Sequence, residues 1–472
     1  MWRLNLTLFL LAGFFVTSPS FSVQAPDIDL SCVNCNVILL DIDLLRADFG
    51  GGDKYPNNKN TPNINKFFKN SILFDDVMSV SGVTAISNTA TLTGMGGHFT
   101  YGLLKNTFVD KPPQMPDRYL KMYQSTPTVA EVLKKNGYDT ANINHGWYAG
   151  KQMLLNRGID TYWGTGEANS TTNVPGAAIE KAANYLTSRK NNPKKFFMLI
   201  RSEDLRGFPY RYPINSPRID DPRIQYKGGD DSFIEVRYQI GSEGKIKEGY
   251  SSLEMAGWMS DVQLKEYQIL GKTLYSKQLT FVDEKLKLIF DSLEGSNLLD
   301  NSIVVLYSNH GDGLYDNKVP NHGVSYQSCV SVPLMIKHPK IKQPIKIDTP
   351  ISLTDLVPTI YDMLSVRSPG RIDGATFIPQ IKGAELPRDF YFGVDRQSQY
   401  VRYKNMKLIV WADRNKELYD LKLDPGELNN IISSNEDLAT SLDDLLSELD
   451  MESLSNAIDL IDRFNLDRVV HN

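Results

Sequence analysis

Residues 36–42, NVILLDI, decide the fold class because they form an almost unbroken apolar run. A strand that is buried on both faces of a parallel sheet has this pattern of nearly continuous apolar residues. Three further runs resemble it, at residues 196–200, 302–307 and 332–336. Patterns with helical spacing lie between the runs, at residues 62–69, 128–136, 177–188 and 263–293. Strands that alternate with helices predict an α/β fold with a largely parallel sheet.

Upstream of this strand, the chain begins with the pattern of a secretion signal. Arg3 precedes an apolar run over residues 4–16, which is shorter than the ~20 residues of a membrane-spanning helix. Small residues at Ser20 and Ser22 are typical of a cleavage site. We therefore expect residues 1–22 to be a signal peptide. The mature protein would then be exported, to the periplasm or outside the cell, with no stable membrane span; an uncleaved anchor is the alternative.

Two cysteines, Cys32 and Cys35, lie between this signal and the first strand. In an exported protein, a disulfide between them is expected. A redox-active C-x-x-C site is the alternative, but the thioredoxin type opens a helix, whereas this pair precedes a strand.

Downstream of the first strand, a change in the pattern of apolar and polar residues predicts two domains. Residues 33–385 carry the alternating pattern and are predicted to be the catalytic domain, with a polar stretch at residues 204–258 as a long insertion or lid. Residues 386–472 begin with short aromatic and β-branched runs, which predict a small antiparallel subdomain. Leucines at helical spacing in residues 435–464 predict amphipathic helices packed on the body.

The charge balance bears on possible partners. The chain of 472 residues carries 51 Lys and Arg against 56 Asp and Glu, a formal net charge of -5. A general nucleic-acid binder is usually basic, and adsorption to an anionic membrane also needs positive charge. We therefore expect no nucleic-acid partner, and the sequence leaves the oligomeric state open.

Polar side chains cluster where the predicted strands end. Asp41 and Asp43 close the first strand and would share a face through their i, i+2 spacing, while Asn309 and His310 follow the third strand and His322 lies a short loop later. Ligands of open α/β sheets bind at the carboxyl ends of the strands. Carboxylates, an amide and imidazoles suit a divalent cation. The alternative for each residue alone is a cap or turn role, in which Asp and Asn are frequent.

Six short motifs occur in a fixed order from residue 36 to about residue 430. They are NVILLDIDLLRAD (36–48), TPNI (61–64), TLTG (91–94), NLLDNSIVVLYSNHG (297–311), SLTDLVPT (352–359) and ELYDLKLDPGE (417–427). In this succession they resemble the sulfatase family of the alkaline-phosphatase-like superfamily. The resemblance implies a mixed, mostly parallel sheet flanked by helices, with a small C-terminal antiparallel α+β subdomain. It also implies one divalent metal ion, which could be Ca²⁺, Mg²⁺, Mn²⁺ or Zn²⁺.

The nucleophile of this family begins a C-x-P-x-R segment at a fixed distance before the TLTG motif. Counting back from Thr93 places Thr84 there and Asn88 at the arginine, so the chain resembles an atypical member that lacks this segment. Phosphodiesterases and phospho-group transferases of the superfamily use Thr at this point, and a bound metal would activate its hydroxyl. Alternatively, Thr84 only caps a helix. Ser81 and Ser87 are weaker nucleophile candidates.

The resemblance also implies roles for other residues. The predicted metal ligands are Asp43, Asn309, His310 and Thr84, with Asp41 as a further candidate. Asn309 replaces an aspartate of the family, and a neutral amide holds a cation less firmly.

The predicted substrate-binding residues are Asn88, His145 and Arg206, because His145 falls at a family lysine and Arg206 near a family histidine. Positive groups there could stabilise an oxyanion, although each could equally be a solvated surface group. His322 or His145 would protonate the leaving group. His98, His338 and His471 fit no motif and are predicted to be structural.

These residues together predict a sulfatase-like hydrolase that cleaves a sulfate or phosphate ester with a metal-activated Thr84. The substrate would be a small-molecule, glycan or lipid ester that is anionic. A phosphodiesterase or phospho-group transferase is one alternative, and a catalytically inactive binding protein of the same fold is another.

Overall fold

The computed structural model describes residues 28–50, 58–97, 126–145, 156–164, 175–205, 211–213, 224–227, 233–238, 260–370, 372–384, 390–395 and 397–449. The strands are β1 (Asn36–Ile42), β2 (Ile72–Phe74), β3 (Val77–Met78), β4 (Asp139–Asn144), β5 (Thr161–Gly164), β6 (Phe196–Ser202), β7 (Arg211–Pro213), β8 (Ile224–Lys227), β9 (Phe233–Tyr238), β10 (Ser302–Tyr307), β11 (Leu334–Lys337), β12 (Ile345–Ile347), β13 (Ile351–Ser352), β14 (Phe390–Val394), β15 (Ser398–Tyr403), β16 (Met406–Trp411) and β17 (Lys416–Asp420). The α-helices are α1 (Pro62–Phe67), α2 (Thr84–Thr93), α3 (Val129–Lys135), α4 (Ala177–Ser188), α5 (Asp261–Gly295), α6 (Gln327–Val330), α7 (Leu356–Leu364), α8 (Ile378–Ile381) and α9 (Glu436–Leu449).

A mixed sheet of eight strands forms the centre of the fold, in the order β12-β2-β11-β10-β1-β6-β4-β5. The strand β1 pairs in parallel with both β10 and β6, and β4 continues the parallel part. The strand β11 runs antiparallel to β10, so the sheet is mostly parallel rather than uniformly so. The predicted fold class is therefore confirmed.

One strand is longer than the sequence pattern predicted. The apolar run at residues 196–200 was expected to be the whole strand, but β6 continues through Arg201 and Ser202. These two residues keep the parallel register with β1, opposite Asp41 and Ile42. A charged residue thus lies inside a fully buried strand.

Side chains of β1 alternate between the two faces of the sheet. Val37 and Leu39 enter one apolar cluster, which also contains residues of α2, α3 and α7. Ile38, Leu40 and Ile42 enter the cluster on the other face, which contains residues of α1, α4 and α5. This two-sided burial explains the nearly continuous apolar sequence of the strand.

A second, antiparallel sheet of four strands, β14-β15-β16-β17, follows near the C-terminus, and α9 contributes leucines to its core. The predicted C-terminal antiparallel subdomain is therefore confirmed, while the domain limits 33–385 and 386–472 stay predictions. The Tyr400 hydroxyl donates a 2.7 Å hydrogen bond to the Ser79 carbonyl, and Arg402 forms a two-pronged ion pair with Asp76. This sheet is thereby tied to the loop that precedes α2.

Cys32 and Cys35 form a disulfide just before β1, as expected, and Cys329 is a buried free thiol. The described parts of the polar stretch at residues 204–258 contain β7, β8 and β9, which form a small antiparallel sheet; a lid role stays a prediction. Among the described helices, none is both long and apolar enough to cross a bilayer. The predicted signal peptide, His98, Arg206 and His471 lie outside the described residues.

Candidate active site

A row of polar side chains crosses the sheet at the carboxyl ends of four strands. Asn144 on β4 pairs with Arg201 on β6, Arg201 with Asp41 on β1, and Asp41 with Tyr307 on β10. All four occupy strand positions that face α2, because their neighbours in each strand point into the opposite cluster. Asp41 was predicted at this edge, whereas Arg201 was not.

Arg201 is fully buried and lies between the two predicted acidic residues. Its Nε is 3.2 Å from Asp41 Oδ2, and its Nη2 is 3.1 Å from Asp43 Oδ1. Its Nη1 contacts Glu203 and donates to the carbonyl of His145 at 3.1 Å. The i, i+2 spacing of Asp41 and Asp43 thus puts both carboxylates against one guanidinium.

The titration of these groups reflects their burial. Burial raises the pKa of Asp41 to about 7, although Arg201 acts in the opposite direction. Burial acts to lower the pKa of Arg201, but Asp43, Glu203 and Asp41 raise it above its ordinary value. The guanidinium therefore stays charged.

Thr84 is the first residue of α2 and faces the same edge of the sheet. The residue before it, Val83, has the extended conformation of a helix cap, and no side-chain cap bond is present there. Thr84 Oγ1 lies 2.9 Å from His310 Nε2 and is almost completely buried. The capping role considered for Thr84 is therefore wrong, since its hydroxyl contacts an imidazole.

The ring of His310 is held in one orientation. Its Nδ1 lies 2.8 Å from the carbonyl oxygen of Gly311, which can only accept a hydrogen bond. In the neutral ring this contact keeps the proton on Nδ1 and leaves the lone pair on Nε2. Thr84 then donates to Nε2, which is the arrangement of a nucleophile with its base.

His322 adjoins this pair from a neighbouring loop. Its ring stacks on that of His310, with centroids 4.7 Å apart and an interplanar angle of 27°. Its Nδ1 is 3.5 Å from Asp312 Oδ1. Arg46 stabilises the loop that contains Asp312, because its Nη1 donates hydrogen bonds to the carbonyls of Asp312 and Gly313, each at 3.2 Å. The structure thus brings His322 to the edge where it was predicted.

Three other predicted residues line this region with buried polar groups. Asn309 accepts hydrogen bonds at its carbonyl from Ser79 and Ser87, while its side-chain amide has no hydrogen-bond partner among the described residues. The amide nitrogen of Asn88, one helical turn after Thr84, also has none there. His145 Nδ1 is 3.7 Å from Asp204 Oδ1. Such orphaned buried groups are uncommon and suit a polar ligand.

The two weaker nucleophile candidates have structural partners. The Ser81 hydroxyl donates to Asp395 Oδ1 at 2.6 Å, and the Ser87 hydroxyl donates to the Asn309 carbonyl at 2.5 Å. His338 is buried, and burial lowers its pKa to about 4, which agrees with a structural role.

Comparison with known proteins assigns the family. Residues 35–366, well over half of the chain, match the family model described as Sulfatase. The chain belongs to the sulfatase family. Residues 312–452 match the model described as N-sulphoglucosamine sulphohydrolase, C-terminal. The family resemblance of the six motifs is thereby confirmed, and with it a hydrolase acting on sulfuric esters.

Individual relatives of this sulfatase agree with the assignment. An N-acetylglucosamine-6-O-sulfatase of Bacteroides thetaiotaomicron is 22% identical over 80% of this chain and 79% of its own length. A solved structure of another protein, in complex with its own substrate D-glucosamine-2-N,6-O-disulfate, has a TM-score of 0.60 and 19% identity, over 88% of this chain and 97% of that one. The phosphonate monoester hydrolase of Agrobacterium radiobacter has a TM-score of 0.59 and 16% identity, over 91% of this chain and 96% of that one. At these identities, the two structures show a shared fold.

Sulfatases typically use a divalent metal ion, but the side chains of this sulfatase do not fit one as they are arranged. The oxygen Asp43 Oδ1, which faces His310 Nε2 at 3.6 Å, also contacts the Arg201 guanidinium. Two unit charges about 4 Å apart interact by about 4 kcal/mol at an effective dielectric of about 20, so the guanidinium would oppose a divalent ion beside Asp43 by about twice that, against the attraction of the carboxylates. Within the described ranges, no three His, Cys, Asp or Glu side chains form a group that could hold a metal.

Arg201 and Asp395 are the residues of this site that sequence reasoning missed. Asp395 follows β14 and supports the turn before Thr84, and no motif points to it. Arg201 had a signal, because it ends an apolar run on β6 as Asp41 ends one on β1. Opposite charges at the ends of two buried runs predict a pair across neighbouring strands.

Proposed function

We propose that this sulfatase cleaves a sulfate ester through attack by the Thr84 hydroxyl, with His310 as the base. The observation that carries the proposal is the 2.9 Å contact of Thr84 Oγ1 with His310 Nε2, whose Nδ1 is occupied by the Gly311 carbonyl. The sequence predicted activation of Thr84 by a metal ion. The contacts of the described residues instead support activation by the imidazole, which accepts the proton as the oxygen attacks.

In the first step, Thr84 Oγ would form a bond to sulfur while its proton moves to His310 Nε2 and the bond from sulfur to the ester oxygen breaks. The departing oxygen takes a proton from His322 or His145. In the second step, a water molecule gives a proton to the imidazole of His322 or His145, which lost one in the first step, and its oxygen attacks sulfur. The bond from sulfur to Thr84 Oγ breaks, sulfate leaves, and Thr84 regains its proton from the imidazolium.

The start of α2 would bind the anionic ester. Thr84 is its first residue, so the free backbone N–H groups of the first turn face the reacting group. Asn88 lies on the same face one turn later and has an amide nitrogen available for a sulfate oxygen. These donors support the predicted substrate-binding role of Asn88.

The test is the pair Thr84→Val and Thr84→Ser, assayed on an aryl sulfate. Valine keeps the shape and removes the hydroxyl, so we expect turnover to fall by about 10³-fold or more, whereas serine keeps a measurable rate. Intact-mass analysis of the quenched reaction should show one added sulfuryl group in the wild type and in Thr84→Ser. Unchanged turnover in Thr84→Val would contradict the proposal.

A second candidate is hydrolysis of a phosphate diester or phosphonate ester. The presence of Thr84 rather than a cysteine at the nucleophile position favours it, and the phosphonate monoester hydrolase shares the fold. The ratio of kcat/KM on aryl sulfate and on aryl phosphodiester separates the two. A protein that binds these esters but turns over neither, with or without Thr84, would be a binding protein of this fold.

For the natural substrate, we propose a sulfated sugar in which glucosamine is the first choice. The relatives named above act on N-acetylglucosamine-6-sulfate or bind a glucosamine disulfate. Release of sulfate from glucosamine derivatives that carry a single sulfate at the 2-N or 6-O position would test both the class and the position. Equal rates on these and on unrelated alkyl sulfates would contradict it.

We also propose that the protein works outside the cytoplasm. The disulfide between Cys32 and Cys35 supports this location, because such bonds persist in oxidising compartments. Fractionation of expressing cells, followed by N-terminal sequencing, tests it: the mature protein should lack residues 1–22. Full-length protein in the cytoplasmic fraction would contradict it.

A further inference from the structure

Arg201 is unusual because it brings a permanent positive charge into the centre of the sheet. It is fully buried on β6, and the carboxylates of Asp41, Asp43 and Glu203 surround it. Burying a charge is costly unless partners compensate for it. The guanidinium and the carboxylates therefore depend on one another.

The carboxylates of Asp41 and Asp43 are arranged around the Arg201 guanidinium much as carboxylate ligands are arranged around a bound cation. The Nε and Nη2 atoms of Arg201 each lie within about 3.2 Å of a different aspartate oxygen. Asp43, which was predicted to hold a metal ion, uses the same oxygen toward Arg201 and toward His310. A positive charge from β6 thus already lies where the carboxylates of Asp41 and Asp43 meet.

A neighbouring residue points to the same conclusion. Leu44 follows Asp43 directly, and it is buried against the opposite face of the sheet. Its backbone has a φ of 67°, a left-handed conformation that Asp and Asn adopt far more readily than leucine. Leu44 therefore supplies no further carboxylate at a position whose backbone conformation would suit one.

We infer that the Arg201 guanidinium is the resident cation of this site and replaces the divalent ion. Its single positive charge offsets part of the negative charge of Asp41 and Asp43, and through its hydrogen bond to the His145 carbonyl it fixes the loop that carries that imidazole. The protein then needs no divalent ion to fold or to hold its site together. This inference rests on the site of the proposed function, although its test does not depend on turnover.

The test measures metal content and thermal stability of the full-length mature protein. After dialysis against a chelator, elemental analysis of the wild type should show no stoichiometric Ca²⁺, Mg²⁺, Mn²⁺ or Zn²⁺. Adding each ion alone should leave its melting temperature unchanged, because a ligand of the native state would raise it. One equivalent of a bound ion that raises the melting temperature would overturn the inference, whatever the activity of the protein.

Removing the Arg201 guanidinium by substitution tests whether a divalent ion can then take its place. Arg201→Ser removes the guanidinium and leaves Asp41 and Asp43 without their counter-charge, so we expect a lower melting temperature that a divalent ion restores by several degrees. The matched control is Arg402→Ser, which breaks another buried arginine pair, with Asp76, away from this site. We expect the same ion to leave Arg402→Ser unchanged.

Two outcomes of the variant experiment would count against the inference. Failure of every ion to stabilise a folded Arg201→Ser would mean that the freed carboxylates are not a cation site. Equal stabilisation of both variants would show a general effect of the ion. If Arg201→Ser does not fold, the wild-type measurements decide alone. Loss of turnover in Thr84→Val tests the proposed reaction separately, since that change leaves the cation cluster intact.

Discussion

The Asp395 carboxylate accepts a 2.6 Å hydrogen bond from the Ser81 hydroxyl, three residues before Thr84. The same carboxylate oxygen accepts from the Gly82 N–H at 2.7 Å, and the Ser81 hydroxyl oxygen accepts from the Val83 N–H at 3.1 Å. A residue that follows β14 of the C-terminal sheet thus fixes the turn from which α2 begins. The position of the proposed nucleophile depends on both sheets.

This carboxylate predicts a pH dependence of stability. Burial raises the pKa of Asp395 to about 6, against the opposing effects of hydrogen bonds from Ser81, Gly82 and Ser325. The folded protein binds this proton more tightly than the unfolded chain does. Protonation of Asp395 therefore stabilises the folded state, and this stabilisation is present in full below pH 3.8, the ordinary pKa of an aspartate. It is lost as the pH rises through about 6.

In Asp395→Asn, we expect this part of the pH dependence, about 3 kcal/mol in the free energy of unfolding, to disappear. Urea unfolding at several pH values between the two pKa values measures it. The control is Asp413→Asn, which changes an exposed carboxylate in the turn after β16. A slope in Asp395→Asn equal to that of the wild type would contradict the prediction.

The position of His322 predicts a dependence on the leaving group. If its imidazole protonates the departing oxygen, His322→Gln should lower kcat by about 10²–10⁴-fold for a sugar or alkyl sulfate, whose leaving group is basic. An activated aryl sulfate needs little protonation, so its turnover should change far less. The measurement is kcat across a series of aryl sulfates of rising phenol pKa.

For comparison, His310→Gln should lower kcat across that whole series, because base assistance to Thr84 does not depend on the leaving group. A uniform loss in His322→Gln would instead indicate that His322 supports the His310 ring, on which it stacks.

The buried ion pair of Lys407 and Glu427 predicts strong coupling between two residues. The Lys407 Nζ lies 2.7 Å from Glu427 Oε1 and also donates to the Ser325 carbonyl. Burial lowers the pKa of Lys407 and raises that of Glu427, while each charge opposes the shift of the other. Lys407→Met leaves a buried carboxylate without its partner and should cost about 3–5 kcal/mol in the free energy of unfolding.

The double variant Lys407→Met/Glu427→Gln removes both charges, so it should be more stable than Lys407→Met alone. A double-mutant cycle by urea denaturation measures the coupling. Additive losses from the two single changes would show that the pair acts as two independent groups.

Gly311 predicts a steric limit beside the proposed base. A Cβ atom at this position would lie 2.2 Å from the carbonyl oxygen of Ser328, which belongs to the backbone and cannot easily move. We expect Gly311→Ala to lower the free energy of unfolding by about 1–3 kcal/mol. It should also lower kcat, since the Gly311 carbonyl orients the His310 ring.

A suitable control for Gly311→Ala is Gly295→Ala, at the end of α5, where no atom lies within 4 Å of the added Cβ. That change should leave both the melting temperature and kcat close to the wild type. Wild-type behaviour in Gly311→Ala would contradict the proposed constraint on His310.

The parallel part of the fold was predictable because its physical cause is local in sequence. The runs of β1 and β10 are buried on both faces, and each gives an apolar stretch that can be recognised without any partner. The helix α4 was predicted with its observed limits, since its apolar positions recur with the helical period. The direction of β11 was not predicted, because apolar content carries no information on strand orientation.

The candidate site was predictable only in part. Thr84, His310 and Asp43 were found by motif order, and they lie together at one edge of the sheet. Arg201 was missed because the rule that ends a buried strand at its last apolar residue excluded it. Asp395 was missed because its partner Ser81 is 314 residues away in the sequence. A contact between residues so far apart along the chain produces no recognisable sequence pattern.

The charge of Arg201 is joined covalently to β6. Its stoichiometry is fixed when the chain is synthesised, and no competing ion can exchange with it. A mononuclear site loses its charge when the solution is depleted of metal, but this one keeps its charge at any dilution. For this protein, then, the positive charge between Asp41 and Asp43 is present as soon as the polypeptide is complete.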